Sequence, residues 1–170
     1  GGMLGALNGY LVGYLKARPF LTTMVTLIIY RAVIEILNKE YSVKLATAFV
    51  DNENWDFLGE GSVLGIPVNA AVLLVVMLVG HVLLSRSRPG WHITAIGSSR
   101  KAARHSGIKV ERVLFSTYVI SGVLCGIGGL FYAARQNSAG TDTGFGWEVT
   151  ALTAVVLGGI SLAGGKGTIG

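Results

Sequence analysis

The sequence predicts an all-α protein: a polytopic bundle of transmembrane helices, with about five crossings in 170 residues. Three observations carry this. Hydrophobic residues make up 51% of the chain and charged residues only 14%, well below the roughly 25% usual in a water-soluble domain. Two stretches, Gly61 to Ser85 and Val113 to Ala134, run 25 and 22 residues without a formal charge, His81 taken as neutral. A helix of the shorter length rises about 33 Å, enough to cross a hydrocarbon core of ~30 Å. The basic and acidic residues, finally, segregate into alternate gaps between the apolar runs. Disorder and collagen are excluded by the apolar content and by 25 glycines that follow no Gly-X-Y period.

The elements follow in order. Gly1 to Leu15 is uncharged, and Gly1, Gly5, Gly9 and Gly13 fall at every fourth position. On a helix they make one smooth stripe where a neighbour's backbone can approach closely. Pro19 to Tyr30 is uncharged and runs into Arg31, with apolar residues continuing to Leu37. The third run is Gly61 to Ser85. The fourth, Val113 to Ala134, carries Gly122 and Gly126 in a second, shorter stripe, with Gly129 and Ala133 near the same side. The fifth is Val149 to Gly165. None resembles a cleavable signal peptide. Both ends look cut, so the sequence reads as an internal piece of a longer membrane protein.

Charge sets the orientation, because short loops rich in Lys and Arg stay in the cytoplasm. Lys16 and Arg18 follow the first run, the gap Arg86 to Arg112 holds seven basic residues against Glu111, and Lys166 follows the fifth run. The gap Glu35 to Glu60 holds six acids and two bases, and Gln136 to Glu148 holds two acids and no base. Alternating sides place ten of the 14 basic residues inside and eight of the nine acids outside. The formal charge of +5 is therefore topological and does not point to nucleic acid. The whole chain, 1–170, reads as part of one membrane domain, with a periplasmic loop at 38–66 and a cytoplasmic loop at 85–112. In the outer loop Leu45, Phe49, Trp55, Phe57 and Leu58 interleave with acids. This suits a short helix on the membrane surface, either an ordinary interfacial loop or a docking surface for an outside partner.

Polar residues within the runs are few: Asn8, Thr22, Thr23, Thr26, Asn69, His81, Thr117, Ser121, Thr150 and Thr153. They line a pathway for a hydroxylated solute or make hydrogen bonds between helices. No acid, Lys or Arg lies inside the two longest runs, which argues against a proton-driven pump. Soluble chemistry is missing. The tail from Gly158 to Thr168 lacks both the spacing and the Ser/Thr of a phosphate loop. Gly126-Ile-Gly128-Gly129 does not complete a dinucleotide fingerprint. His81, His92 and His105 are not at metal-ligand spacing, no serine sits in a Gly-x-Ser-x-Gly elbow, and the lone Cys125 can form no internal disulfide. No cofactor is expected.

In the cytoplasmic loop Ser98 or Ser99 can cap a helix over Arg100 to Ser106, and Gly107 suits the left-handed position that ends it. Ala102 and Ala103 give that short helix a smooth centre with basic flanks, shaped to sit in a groove on another protein. The same basic loop would also be drawn to anionic membrane lipid.

These residues also carry a resemblance. Ala95, Gly97, Ala102, Ala103, Ser106, Gly107 and Ile108, followed by Tyr118, Ser121 and Gly122, resemble the cytoplasmic loop of membrane subunits of bacterial ATP-binding cassette sugar importers of the ribose/xylose/galactose permease family. Gly144-Phe-Gly146-Trp-Glu148, running into Ala154-Val-Val-Leu-Gly-Gly-Ile-Ser161-Leu-Ala-Gly-Gly-Lys-Gly167, is similar to that family's glycine-rich signature. Asn8-Gly9, Pro19-Phe20, Thr23 and Arg31 add a third match. Departures are Ser98-Ser99 for Gly-Asn, Thr150 for an acid, Val25 for a common Gly, and Ala32 for Gly after the arginine.

The resemblance implies a subunit of about ten helices, of which this chain holds the middle five. It implies pairing with a second permease subunit, two cytoplasmic ATP-binding subunits, a periplasmic solute-binding protein, and a small-molecule sugar or polyol as cargo. It makes Gly97, Ala102, Ala103, Arg104, Ser106, Gly107 and Ile108 the element coupled to the ATPase. A charge at Ala103 is expected to uncouple ATP hydrolysis from uptake while leaving insertion intact. Asn8, Thr23, Ser121, Glu148, Gly158, Gly159 and Ser161 are candidates for the translocation pathway or for helix packing, with Glu148 at the outer mouth or a helix contact. The rival reading is a secondary transporter driven by an ion gradient.

Overall fold

A computed structural model of the protein describes residues 1–48, 59, 61–63, 65–136 and 143–159. The described elements are α1 (Gly2–Gly13), α2 (Pro19–Ala48), β1 (Ser62–Val63), β2 (Ile66–Pro67), α3 (Val68–Arg86), α4 (Arg88–Ser98), α5 (Arg100–His105), α6 (Val110–Gln136) and α7 (Trp147–Leu157). The all-α expectation holds apart from the small antiparallel ladder, which pairs Ser62 with Pro67 and Val63 with Ile66 and leads straight into α3.

Each predicted apolar run contains a helix, although the run from Gly61 to Ser85 opens with the β1–β2 ladder and turns helical only at Val68. Pro19–Lys39, Val68–Arg86 and Val110–Gln136 are long and apolar enough to cross a membrane. The other two expected crossings are described over shorter helical stretches. The 12 residues of α1 and the 11 of α7 rise only about 18 and 16 Å at ~1.5 Å per residue. Helix α2, by contrast, continues to Ala48, into the segment read from charge as the outer loop. Backbone hydrogen bonds extend a helix wherever no breaker intervenes, and neither Gly nor Pro occurs between Phe20 and Gly59.

The glycine stripe of α1 meets α6. A methyl group added at Gly1 would lie 2.9 Å from the Gly126 Cα, and one at Gly5 would lie 3.0 Å from the Gly122 Cα. At Gly9 it would stand 3.0 Å from the Phe115 carbonyl, and at Gly13 3.0 Å from that of Glu111. The order of these contacts makes the pair antiparallel, with Gly13 level with the start of α6 and Gly1 level with its outer half. That agrees with the charge-derived topology, in which the first run enters the cytoplasm and the fourth leaves it. Tyr14 closes the inner end, edge-on to Phe115 at 6.2 Å.

Helix α2 joins by a hydrogen bond from the Tyr30 hydroxyl to the Leu4 carbonyl, 3.4 Å. The turn before it places Lys16 at φ +55, and Pro19 opens the helix at the position where a missing N–H costs nothing. None of the side chains of α3 is buried, and Leu73, Leu74, Val75 and Leu78 lie exposed along it. In water such a helix would be untenable, but in lipid it needs no protein cover.

Overpacking the α1–α6 contact is expected to cost ~1–3 kcal/mol. Gly122→Val in the full-length subunit should therefore lower the thermal midpoint of the detergent-solubilised protein. Gly128→Ala, where the added methyl meets nothing within 4 Å, should leave it unchanged. Equal midpoints for the two variants would contradict the packing.

Candidate functional site

The basic segment after α3 is a small folded body. Ser87 turns the chain with an extended backbone, its hydroxyl donating to the Leu83 carbonyl and accepting from the Gly90 amide at 3.3 Å. It thereby caps α4, which has Pro89 in its first turn. A methyl group at Gly90 would stand 2.3 Å from the Leu84 carbonyl and 2.6 Å from that of Leu83. Only glycine lets α4 start so tightly against the end of α3. This helix has no counterpart in the sequence reading, although Ser87-Arg-Pro-Gly carries the start signal of a capping serine followed by an early proline.

Ser99 then breaks the chain between α4 and α5. Its extended backbone (φ −159, ψ 110) ends α4, and its hydroxyl accepts from the Ala102 amide, capping α5. Of the two serines proposed as caps, Ser99 does this. Ser98 instead donates its hydroxyl proton back to the Thr94 carbonyl. Helix α5 stops where Gly107 adopts φ +80, with amides of Gly107 and Ile108 returning to the carbonyls of Arg104 and Ala103. The left-handed glycine stop is thus where the sequence places it.

The loop has its own core. Ile96 of α4, Ala103 of α5 and Val110 of α6 are buried together, with Ala95, Ile108, Val113 and Leu114 packed against them. Among the candidate coupling residues, Ala103 is only 3% exposed and Ile108 is half-buried against the same cluster, so both hold the loop together from within. Ala102, Arg104, Ser106 and Gly107 lie on its outer surface, and Gly97 is partly covered within α4. The Arg104 guanidinium pairs with the Glu111 carboxylate, tying α5 to α6. The pair is largely solvated and contributes little to stability. A charge at Ala103 would therefore damage the loop itself, because an unpaired charge in an apolar core is costly. The expectation that Ala103 tests coupling alone gives way to Ala102 as the residue for that test.

The pathway candidates are dispersed. Asn8 lies on α1 with its side-chain oxygen buried and without a hydrogen-bond partner among the described residues, as is that of Asn69 on α3. The Thr23 hydroxyl donates within its own helix, to the carbonyls of Pro19 and Phe20. Ser121 is exposed on α6. Glu148 sits in the first turn of α7, where the positive end of the helix favours an acid. Gly158 and Gly159 end α7, Gly159 at φ +81. Ser161 lies outside the described residues. Helix α7 touches α6 through Trp147 and Tyr132 at its first residue, and among the described residues no extensive contact brings Glu148, Gly158 and Gly159 together with Asn8, Thr23 or Ser121.

What holds α7 is the turn before it. Gly144 and Gly146 both have positive φ, Trp147 packs edge-on against Tyr132 of α6 at 4.7 Å, and Arg31 of α2 donates to the Gly144 carbonyl at 3.3 Å. The sequence singles out Arg31 without indicating that contact. Among the described residues no group of His, Cys, Asp and Glu could hold a metal ion.

Residues 1–166 match the family described as "Branched-chain amino acid transport system / permease component". Curated relatives bear out the resemblance to sugar importer permeases. The chain is 35% identical over 164 residues to the fructose import permease protein of Bifidobacterium longum, covering 96% of this chain and 46% of that protein. It is 35% identical over 170 residues to the ribose import permease protein of Escherichia coli, covering 99% and 52%. It is 36% identical over 171 residues to the D-allose transport system permease protein of Escherichia coli, covering 99% and 50%. The chain thus spans about half the length of the curated relatives it matches. No solved structure matches it.

A charge buried in the loop core and a charge on its surface should part company in proteolysis. Ala103→Asp is expected to speed tryptic cleavage at Arg100, Lys101 and Arg104 in the membrane-embedded subunit, while Ala102→Asp leaves the cleavage rate unchanged. Equal protection of the two variants would contradict the inward placement of Ala103.

Proposed function

From the premise that this chain belongs to the permease-component family of transport systems, and is a multi-pass inner-membrane protein, we propose that it forms the middle of a permease subunit of an ATP-binding cassette importer. The cargo is a monosaccharide or related polyol, and ATP hydrolysis on partner subunits drives its passage. The family description speaks of branched-chain amino acids, while the relatives are import permeases for fructose, ribose and D-allose. The sugar reading follows the relatives, and the hydroxyl- and amide-bearing residues of the spans support it.

The observation that carries the proposal is the folded loop. Residues 85–112 join two membrane helices through a self-supporting, basic body that presents Ala102, Arg104, Ser106 and Gly107 outward. A rigid element fixed at both ends can transmit a push where a slack loop cannot. An ATP-binding subunit that grips α5 would move α3 through the tight corner at Gly90 and α6 through the Ile96–Val110 contact. On this reading residues 38–66 face the periplasm, where a solute-binding protein docks, and a second permease subunit completes the pathway.

Two features mark where the solute passes. Helix α7 covers only about half of a hydrocarbon core of ~30 Å and ends at Gly158–Gly159. Helices broken within the membrane expose backbone groups that can meet a polar solute. Asn8, with its orphaned side-chain oxygen, offers a second polar group at membrane depth. Alternating access requires the solute to interact differently with the two states of the subunit.

The test is made on the complete transporter in vesicles. Ala102→Asp should leave insertion and basal ATP hydrolysis intact but reduce uptake about tenfold, the equivalent of ~1.4 kcal/mol of coupling. Uptake at the unmodified rate removes the loop from the coupling role. Uptake that persists without ATP and collapses with an ion gradient replaces the whole reading by that of a secondary transporter.

A further inference from the structure

Arg31, one turn before Glu35, carries a formal charge within an apolar helix. It lies inside the apolar span Pro19–Lys39, twelve residues beyond Pro19, hence about 18 Å along the helix. Its neighbour Tyr30 bonds to Leu4, near the outer end of α1, which places Arg31 in the outer half of the membrane. A cation at such depth is costly and persists where something specific compensates it. Glu35, one turn further along, pairs instead with Lys39 at 3.1 Å, and among the described residues no carboxylate is within ion-pair range of Arg31.

Its compensation comes from the chain 113 residues away. One guanidinium nitrogen donates to the Gly144 carbonyl, 3.3 Å, in a partly buried contact. The guanidinium carbon lies 5.0 Å from the centre of the Phe145 ring, within range for attraction between a cation and an aromatic face. Gly144 and Gly146 hold the left-handed turn that starts α7, and the Gly144 carbonyl also accepts from the Trp147 amide at 3.3 Å. On the other side of the turn, Trp147 packs against Tyr132, whose hydroxyl accepts from the Gln136 amide nitrogen at 3.2 Å. Irregular backbone at membrane depth must find its hydrogen bonds within the protein, and Arg31 supplies one of them.

We propose that Arg31 is a positioning residue that latches the outer end of α7 to α2, so that the broken helix bearing Gly158–Gly159 keeps the depth and tilt transport requires. The inference deepens the transport reading and rests on it, with Arg31 acting through the turn at Gly144–Gly146. Arginine suits the task because one planar group bonds a carbonyl and stacks on a ring at once.

The experiment uses the full-length subunit assembled with its partners in vesicles, on a background in which every other tryptophan of the assembly, Trp55 and Trp91 of this chain included, is replaced by Phe so that Trp147 is the fluorescent reporter. Iodide quenching of Trp147 reads the turn, and initial uptake rates at varied solute concentration read transport, both per subunit in the membrane. Arg31→Gln is expected to raise the quenching and to lower the maximal rate about tenfold, as loss of one charge-assisted hydrogen bond does, with KM changed less than the rate. Arg31→Lys, which keeps a cation and a donor, should recover part of both signals, and Phe145→Leu should fall between Gln and the unmodified protein. Maximal uptake by Arg31→Gln at the unmodified rate overturns the proposal, as does a Lys variant no better than Gln. If the unmodified transporter shows no ATP-driven sugar uptake, the transport reading fails with the quenching series still legible. If it does transport and the quenching does not respond to Arg31, the latch fails alone.

Discussion

Backbone packed on backbone between α1 and α6 is the contact on which the rest of the arrangement hangs. Lipid tails are as apolar as leucine, so a membrane helix gains little by trading lipid for a neighbour's side chains. What remains is close van der Waals approach, and only residues without side chains permit it. Gly5 and Gly122 face each other too closely to admit a methyl group on either, and the pairs Gly1–Gly126 and Gly9–Phe115 extend the seam. The antiparallel seam also brings the inner end of α1 level with the start of α6, and thus level with the basic loop.

The same solvent explains why this chain looks inside out. A water-soluble protein of this length would bury a large cluster of Leu, Ile and Phe, whereas among the described residues the buried hydrophobic ones are small, Val12, Ala103, Val110 and Ala134, with Ile96 the largest. Among the described residues, the cluster that resembles a soluble core, Ile96–Ala103–Val110, belongs to the basic loop, which the charge pattern places in water. There the hydrophobic effect operates and side-chain burial again stabilises a fold. The two packing regimes meet at Val110, where α6 leaves the loop and enters the bilayer.

The division also decides what the sequence reveals. Helix existence and the α1–α6 seam are legible because they depend on local properties: uncharged length and the four-residue glycine period. The stop at Gly107 is legible for the same reason, since a left-handed residue demands glycine within a few positions of the helix it ends. The inward direction of Ala103 is not, because Ala102 and Ala103 are the same residue type and only the placement of Ile96 and Val110 distinguishes their faces. Nor is the end of α7, since the apolar run from Val149 to Gly165 suggests a full crossing while the helix stops at Leu157. Hydropathy measures how apolar a segment is and says nothing of where a glycine pair turns it.

The partnership of Arg31 and Gly144 is the least legible feature, since nothing local connects residues 113 positions apart. Yet each half is conspicuous alone. An arginine in an apolar helix lacks a counter-charge, and a turn of left-handed glycines next to a short membrane helix has carbonyls to satisfy. In water both would be solvated and neither would need the other. At membrane depth each has what the other lacks, so the cost of placing a cation there and the cost of breaking a helix there offset one another in a single contact. On the proposed reading, α2 carries a donor that reaches the turn where α7 begins.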